Sequence, residues 1–141
     1  MKVRVFLDTN VFIYAFEFPH SNSRKIIELV NEAEVEAVTS ERVLGEVQNY
    51  FRKYYSKDLS AAFRNYLLIS CTIIPPSMVR EEMDRYRGRI KEKDLEQIAV
   101  AKTLGLKYLV SYDRDFEAFE EHKTPKEFIE ALNLGAAKND F

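Results

Sequence analysis

The sequence predicts an α/β fold, a three-layer α/β/α sandwich with a central, mainly parallel sheet and helices on both faces. Three observations lead there. Short apolar runs alternate with longer helical patterns, as in βαβ units, whose crossovers make neighbouring strands parallel. No internal repeat or low-complexity linker interrupts the alternation. The 141 residues, 46% hydrophobic and 31% charged, suit one domain with its own core. Residues 1–134 are read as that single domain and residues 135–141 as a flexible C-terminal tail.

Val3 to Leu7 is the first strand and stops at Asp8-Thr9-Asn10. Val11 to Phe16 is too apolar for a free surface loop and is read as buried, so Asp8 is held between two buried segments. Ser23 to Ala33 repeats Ile26, Ile27, Val30 and Ala33 on one helical face. Ala37 to Thr39 is the second strand. The helix Glu41 to Tyr54 follows, with Val43, Leu44, Val47, Tyr50, Phe51 and Tyr54 on its apolar side. Asp58 to Ile69 is a further helix, and Thr72 to Ile74 a third strand that Pro75-Pro76 ends. Ser77 to Ile90 is a polar, basic helix or extended turn interrupted by Gly88. Asp94 to Leu104 is a helix closed by Gly105, and Tyr108 to Ser111 a fourth strand. Asp115 is placed to initiate a short helix over Phe116 to Glu120. Thr124-Pro125, a cap with proline at the first helical position, opens the last helix.

The composition excludes some classes. No apolar run approaches the 20 or so residues of a membrane span. The amino terminus enters a strand directly, so no signal peptide is expected. Cys71 is the lone cysteine, which leaves no internal disulfide, makes a reducing cytoplasm the default location and reads as a small buried hydrophobe. The net charge of −2 decides nothing about nucleic acid, since the 21 basic residues can still cluster on one face.

Four acids stand at corresponding places. Asp8 follows the first strand, Glu46 lies in the helix after the second, Asp94 opens its helix, and Asp113 lies beyond the fourth strand. Each has a plain structural reading: Glu46 as a solvated acid beside the core, Asp94 as a first-turn acid, Asp113 as a turn former. Lys93 and Glu96 are read as ordinary exposed neighbours, His20 and His122 as solvated loop residues. Jointly, the four acids face the carboxyl ends of different strands, where an open parallel sheet gathers its ligands. Carboxylates so crowded repel and hold protons unless a cation neutralises them. Oxygen-only ligands suit Mg²⁺ or Mn²⁺, whereas Cys71, His20 and His122 lack the spacing of a zinc site.

Asp8-Thr9-Asn10, Ser40-x5-Glu46-Val47, Asp94-Leu95-x2-Ile98-Ala99-x-Ala101 and Ser111-x-Asp113-x-Asp115-Phe116 together resemble a PIN-domain ribonuclease. Thr124-Pro125-Lys126-Glu127-Phe128 is also similar to the last helix start of many single-domain members. Compact members are commonly VapC-type toxins of type II toxin–antitoxin pairs. The resemblance implies a Mg²⁺- or Mn²⁺-dependent endoribonuclease, an antitoxin partner and often a homodimer. It makes Asp8 and Asp94 the principal metal ligands, completed by Glu46 and Asp113 directly or through water, with Asn10 and Ser111 orienting the acids. The Asp113-Arg114-Asp115 pair leaves two candidates for the fourth acid; Asp113, nearer the strand end, is favoured.

The expected reaction is phosphodiester hydrolysis by a metal-activated water, leaving a 5′-phosphate and a 3′-hydroxyl. RNA approaching an acidic crevice needs cations at its rim. Arg85, Arg87, Arg89, Lys91 and Lys93 lead into Asp94 and would place cations near one metal ligand; Arg52, Lys53 and Lys57 follow Glu46 among Tyr50, Tyr54 and Tyr55, which could stack on bases or pack in the core. Exposed parts of Val11 to Phe16 could receive an antitoxin helix, or be core. Two rival readings remain: a module that binds RNA or protein without cutting, and a phosphatase-type phosphoryl-transfer enzyme. A haloacid-dehalogenase-like enzyme of the latter kind wants an aspartate at position 10, where this chain has Asn10.

Overall fold

The computed structural model describes residues 2–138. Among them the chain runs β1 (Val3–Leu7), α1 (Thr9–Glu17), α2 (Asn22–Asn31), β2 (Val35–Ser40), α3 (Glu41–Tyr54), α4 (Lys57–Ser70) and β3 (Cys71–Ile74). It continues through α5 (Arg80–Tyr86), α6 (Glu92–Thr103), β4 (Tyr108–Val110), β5 (His122–Lys123) and α7 (Pro125–Ala131). Every strand pairing is parallel, in the order β3-β2-β1-β4-β5, and the layered α/β architecture expected from the sequence is the one observed. The chain fills the sheet outward from β1 first in one direction and then in the other. The ends of β2, β1 and β4 therefore flank a topological switch point, where such sheets keep their ligand crevice.

β1 sits at the centre, with Val5, Phe6 and Leu7 wholly buried, as a strand covered on both faces requires. Its register brings Leu7 opposite Val110, and the Asp8 amide donates to the Val110 carbonyl at 3.1 Å. The buried Thr39 hydroxyl donates to the Leu7 carbonyl at 2.9 Å, tying β2 to the same level. Asp8, Ser40 and Ser111 thus stand side by side at the carboxyl edge.

Local chemistry sets the helices that start there. Asp8 caps α1, its Oδ1 accepting from the Thr9 amide at 2.9 Å. Ser40 caps α3 and Ser56 caps α4, each accepting from an amide three residues on. α7 opens on a capping box between Thr124 and Glu127, as its sequence predicts. Beneath these helices Phe51 of α3 and Phe63 of α4 stack face to face, 3.9 Å between centroids.

Four features differ from the sequence expectations. The Val11–Phe16 segment is helical, as part of α1; it buries Val11, Phe12, Ile13 and Ala15 and so carries no polar stripe to reveal its period. α6 starts two residues before Asp94. The short helix expected over Phe116 to Glu120 is instead a single 3₁₀ turn, Arg114–Phe116, capped by Asp113 rather than initiated by Asp115. His122 is no loop residue: it belongs to β5, a strand too short to leave a period-2 pattern, and its Nε2 lies 3.0 Å from the Ser111 carbonyl oxygen.

The segment beyond Leu134 is tied down over its first residues. Lys25 Nζ donates to the Gly135 carbonyl at 2.6 Å, and Asn22 exchanges two hydrogen bonds with the Ala137 backbone. The rest of the expected tail, residues 139–141, lies outside the described residues.

Candidate functional site

Ser111 is wholly buried at the end of β4 and connects three segments of the crevice. Its hydroxyl donates to Asp8 Oδ2 at 2.6 Å and accepts from the Asp113 amide at 2.9 Å and from Asn10 Nδ2 at 3.5 Å. Asn10 Oδ1 accepts in turn from the Tyr112 amide at 3.3 Å. The start of α1 and the loop after β4 are thereby locked together.

Around this frame the acids converge unequally. Asp94, Asp113 and Asp115 each offer an oxygen, and the three lie within 4.8 Å of one another. Both aspartates beyond β4 therefore reach the cluster: Asp113 through Oδ2, while its Oδ1 caps the 3₁₀ turn through the Asp115 amide. Asp8, after β1, is outside that trio but near enough for its charge to act on Asp94 and for that of Asp113 to act on it. Glu46 stands further out: its Oε1 accepts from the Thr9 hydroxyl at 2.7 Å and its Oε2 lies 3.8 Å from Arg42 Nε. The contact with Thr9 links it to the residue beside Asp8.

Burial and charge act oppositely on these groups. Burial pushes the Asp8 carboxyl up from its ordinary value; hydrogen bonds from Ser111 and the Thr9 amide oppose this, and the charges of Glu46 and Asp113 add to it. Burial also raises Asp94, against the pull of Lys93. Asp113 is lowered: desolvation raises it, but the Asp115 amide and Lys93 together outweigh that. One oxygen stands out. Asp94 Oδ2 is buried and has no hydrogen-bond partner among the described residues, an arrangement costly for a carboxylate unless something cationic satisfies it.

Two neighbours read as ordinary exposed residues do more than that. Glu96 is buried, and its Oε2 accepts from the Arg42 amide at 2.9 Å, joining α6 to the first turn of α3. Lys93 reaches into the acids, its Nζ 3.2 Å from Asp94 Oδ1, 3.0 Å from Asp113 Oδ2 and 3.9 Å from Asp115 Oδ2. A signal for Lys93 was available: it occupies the first turn of α6, where the helix dipole disfavours a cation.

The expected basic rim is largely engaged within the chain. Lys91 pairs with Asp115 at 3.1 Å, Arg85 with Glu82, and Arg87 with Asp84 and Glu92, while Arg89 lies over the Tyr86 ring. Arg52 and Lys53 are exposed in the last turn of α3, six and seven residues beyond Glu46, or about 9–10 Å along the axis. Of the tyrosines beside them, Tyr54 and Tyr55 are exposed. Tyr50 is half-buried and donates to Glu17 at 2.5 Å, a bond that with burial pushes its phenol up to about 12.

The model of the PIN domain matches residues 5–122, a span that takes in all five acids. The chain belongs to the PIN domain family. No curated protein matches its sequence. Solved structures share its fold at low identity. The toxin–antitoxin complex from Klebsiella pneumoniae is 21% identical with a TM-score of 0.69, over 87% of this chain and 98% of that one. DNA-bound VapBC from Salmonella typhimurium is 16% identical with a TM-score of 0.70, over the same shares. VapC20 from Mycobacterium tuberculosis, a sarcin–ricin loop cleaving toxin, is 18% identical with a TM-score of 0.58, over 81% of this chain and 93% of that one.

Proposed function

We propose that this PIN domain is a Mg²⁺- or Mn²⁺-dependent endoribonuclease and the toxin of a toxin–antitoxin pair in the cytoplasm. The observation that carries the metal is the Asp94 carboxylate, which groups with Asp113 and Asp115 and keeps a buried Oδ2 without a hydrogen-bond partner among the described residues. The donors are all oxygen, which fits a hard divalent ion and not zinc. Asp94, Asp113 and Asp8 would hold it, with Asp115 and Glu46 within reach directly or through water. When bound, such an ion supplies an activated water and stabilises charge on the phosphate.

The chain's own residues set the rest. Ser111 and the Thr9 amide hold both Asp8 oxygens in place, so the carboxylate is oriented before anything binds. Asn10 fixes the loop that carries Asp113. Arg52 and Lys53, with the exposed faces of Tyr54 and Tyr55, offer charge and stacking surface to a single-stranded RNA backbone and its bases. RNA as the substrate is supported by the family together with VapC20, whose substrate is the sarcin–ricin loop.

The toxin reading is supported by neighbours solved as toxin–antitoxin complexes. A groove of about 390 Å³ between α1, α2 and α4, lined by Phe12, Phe16, Ile27, Phe63 and Tyr66 with Arg24 and Glu28 and apart from the five acids of the crevice, would receive the antitoxin helix. The family resemblance implies a homodimer, and that is the assembly proposed here.

The test is cleavage of unstructured RNA with Mg²⁺ or Mn²⁺, wild type against Asp94→Asn. We expect the variant to lose about 100-fold or more, since even outer-shell partners of a metal cost 10–100-fold. A variant as active as the wild type would overturn the proposal. Intact acids with no bound Mn²⁺ would favour a non-cleaving binding module.

A further inference from the structure

We infer that Lys93 is a built-in counter-cation that occupies the metal's place among the acids, so that a divalent ion binds only by displacing it. The inference rests on the metal site proposed above and adds a residue that competes for it. Nζ lies 3.0 Å from Asp113 Oδ2 and 3.2 Å from Asp94 Oδ1, hydrogen-bond lengths for an ammonium. A Mg²⁺ or Mn²⁺ ion bound by the same oxygens sits at about 2.1 Å, so the acids must close in by roughly 1 Å once the ammonium leaves. Both cations cannot share that space.

Three further observations point the same way. Asp94 turns only Oδ1 to Lys93 and leaves Oδ2 buried and unpartnered, so the ammonium neutralises the cluster without completing it. Lys93 gains nothing from its helix, since a cation in a first turn opposes the dipole; its placement is accounted for by the acids. Its side chain is 48% exposed on a flexible four-carbon stem, free to swing to solvent without opening the core. Lys91, by contrast, meets the cluster only at Asp115.

The experiment measures Mn²⁺ binding to the full chain by titration calorimetry and by the spin resonance of free Mn²⁺. It compares wild type with Lys93→Gln, Lys93→Arg, Lys91→Gln and Asp94→Asn. We expect Lys93→Gln to bind Mn²⁺ about tenfold more tightly than the wild type, Lys93→Arg to stay at or below it, and Lys91→Gln to gain less than threefold. In chelator, Lys93→Gln melts below the wild type, and saturating Mn²⁺ closes the gap. Unchanged or weaker binding by Lys93→Gln overturns the inference, as does an equal gain in Lys91→Gln, which would reduce the effect to general charge. Wild-type binding that Asp94→Asn abolishes upholds the metal site whichever way Lys93 falls. Absence of Mn²⁺ from both wild type and Lys93→Gln overturns both.

Discussion

Ser111 satisfies Asp8, the Asp113 amide and Asn10 with one buried hydroxyl, so its removal has a cost out of proportion to its size. In Ser111→Ala the buried Asp8 Oδ2 and the Asp113 amide lose their partner. The expected destabilisation is about 1–3 kcal/mol, and Mn²⁺ affinity should fall about 10–100-fold. Chemical denaturation and metal titration of the same sample check the two separately; wild-type values for both would mean that Ser111 orients nothing. Ser111→Cys restores neither, because a thiol is a weak donor. Thr9 is the comparable residue on the other side, and its bond to Glu46 is the reason an acid on α3 belongs to the crevice at all.

At the scale of elements, the relation between α3 and α6 decides how Glu46 faces Asp94. Glu96 sets it by accepting the Arg42 amide in the first turn of α3, a charge-assisted cap supplied from another helix. Glu96→Ala should cost about 1–2 kcal/mol and lower the melting temperature by roughly 3–8 °C, while Glu96→Gln, which keeps an acceptor oxygen, recovers most of it. Equal losses in the two variants would show that volume, not the cap, is at stake. The elements carrying the acids were mostly legible in the sequence, because strands ending in Asp8 and Ser111 and a strong helical pattern around Asp94 need only local rules. α1 was not, since a helix buried on most sides has no polar stripe; nor was β5, which two residues cannot announce. Lys93 and Glu96 were misread for a different reason. Glu96 acts on Arg42, and Lys93 on Asp113 as well as on its neighbour Asp94, and only the fold brings the distant partners close.

For the molecule as a whole, the acid site costs stability that Lys93 offsets only in part. Burial holds Asp8 and Asp94 above the ordinary carboxylate range, so the folded chain binds their protons more tightly than the unfolded chain does. Their ionisation therefore destabilises at neutral pH, and that loss is recovered as pH falls through their raised values. Asp113, lowered, works the other way, but only beneath the ordinary range. In chelator at pH 7, Asp8→Asn should melt roughly 2–4 °C above the wild type, and the difference should shrink as pH is lowered towards 5. A variant that melts at or below the wild type at pH 7 would contradict the crowding of the acids.

The order β3-β2-β1-β4-β5 has a consequence for synthesis. Asp8 and Glu46 leave the ribosome early, but β4 must arrive to pair with the central strand and bring Ser111 and Asp113 beside them. On the proposed reading, a growing chain leaves RNA uncut until β4 and Asp113 have been made. A break at the exposed Gly88 would divide the acids between two pieces, Asp8 and Glu46 on one and Asp94, Asp113 and Asp115 on the other. Each half alone should leave RNA uncut, and cleavage on co-expression would report that the halves had found each other; cleavage by either half alone would place the chemistry elsewhere.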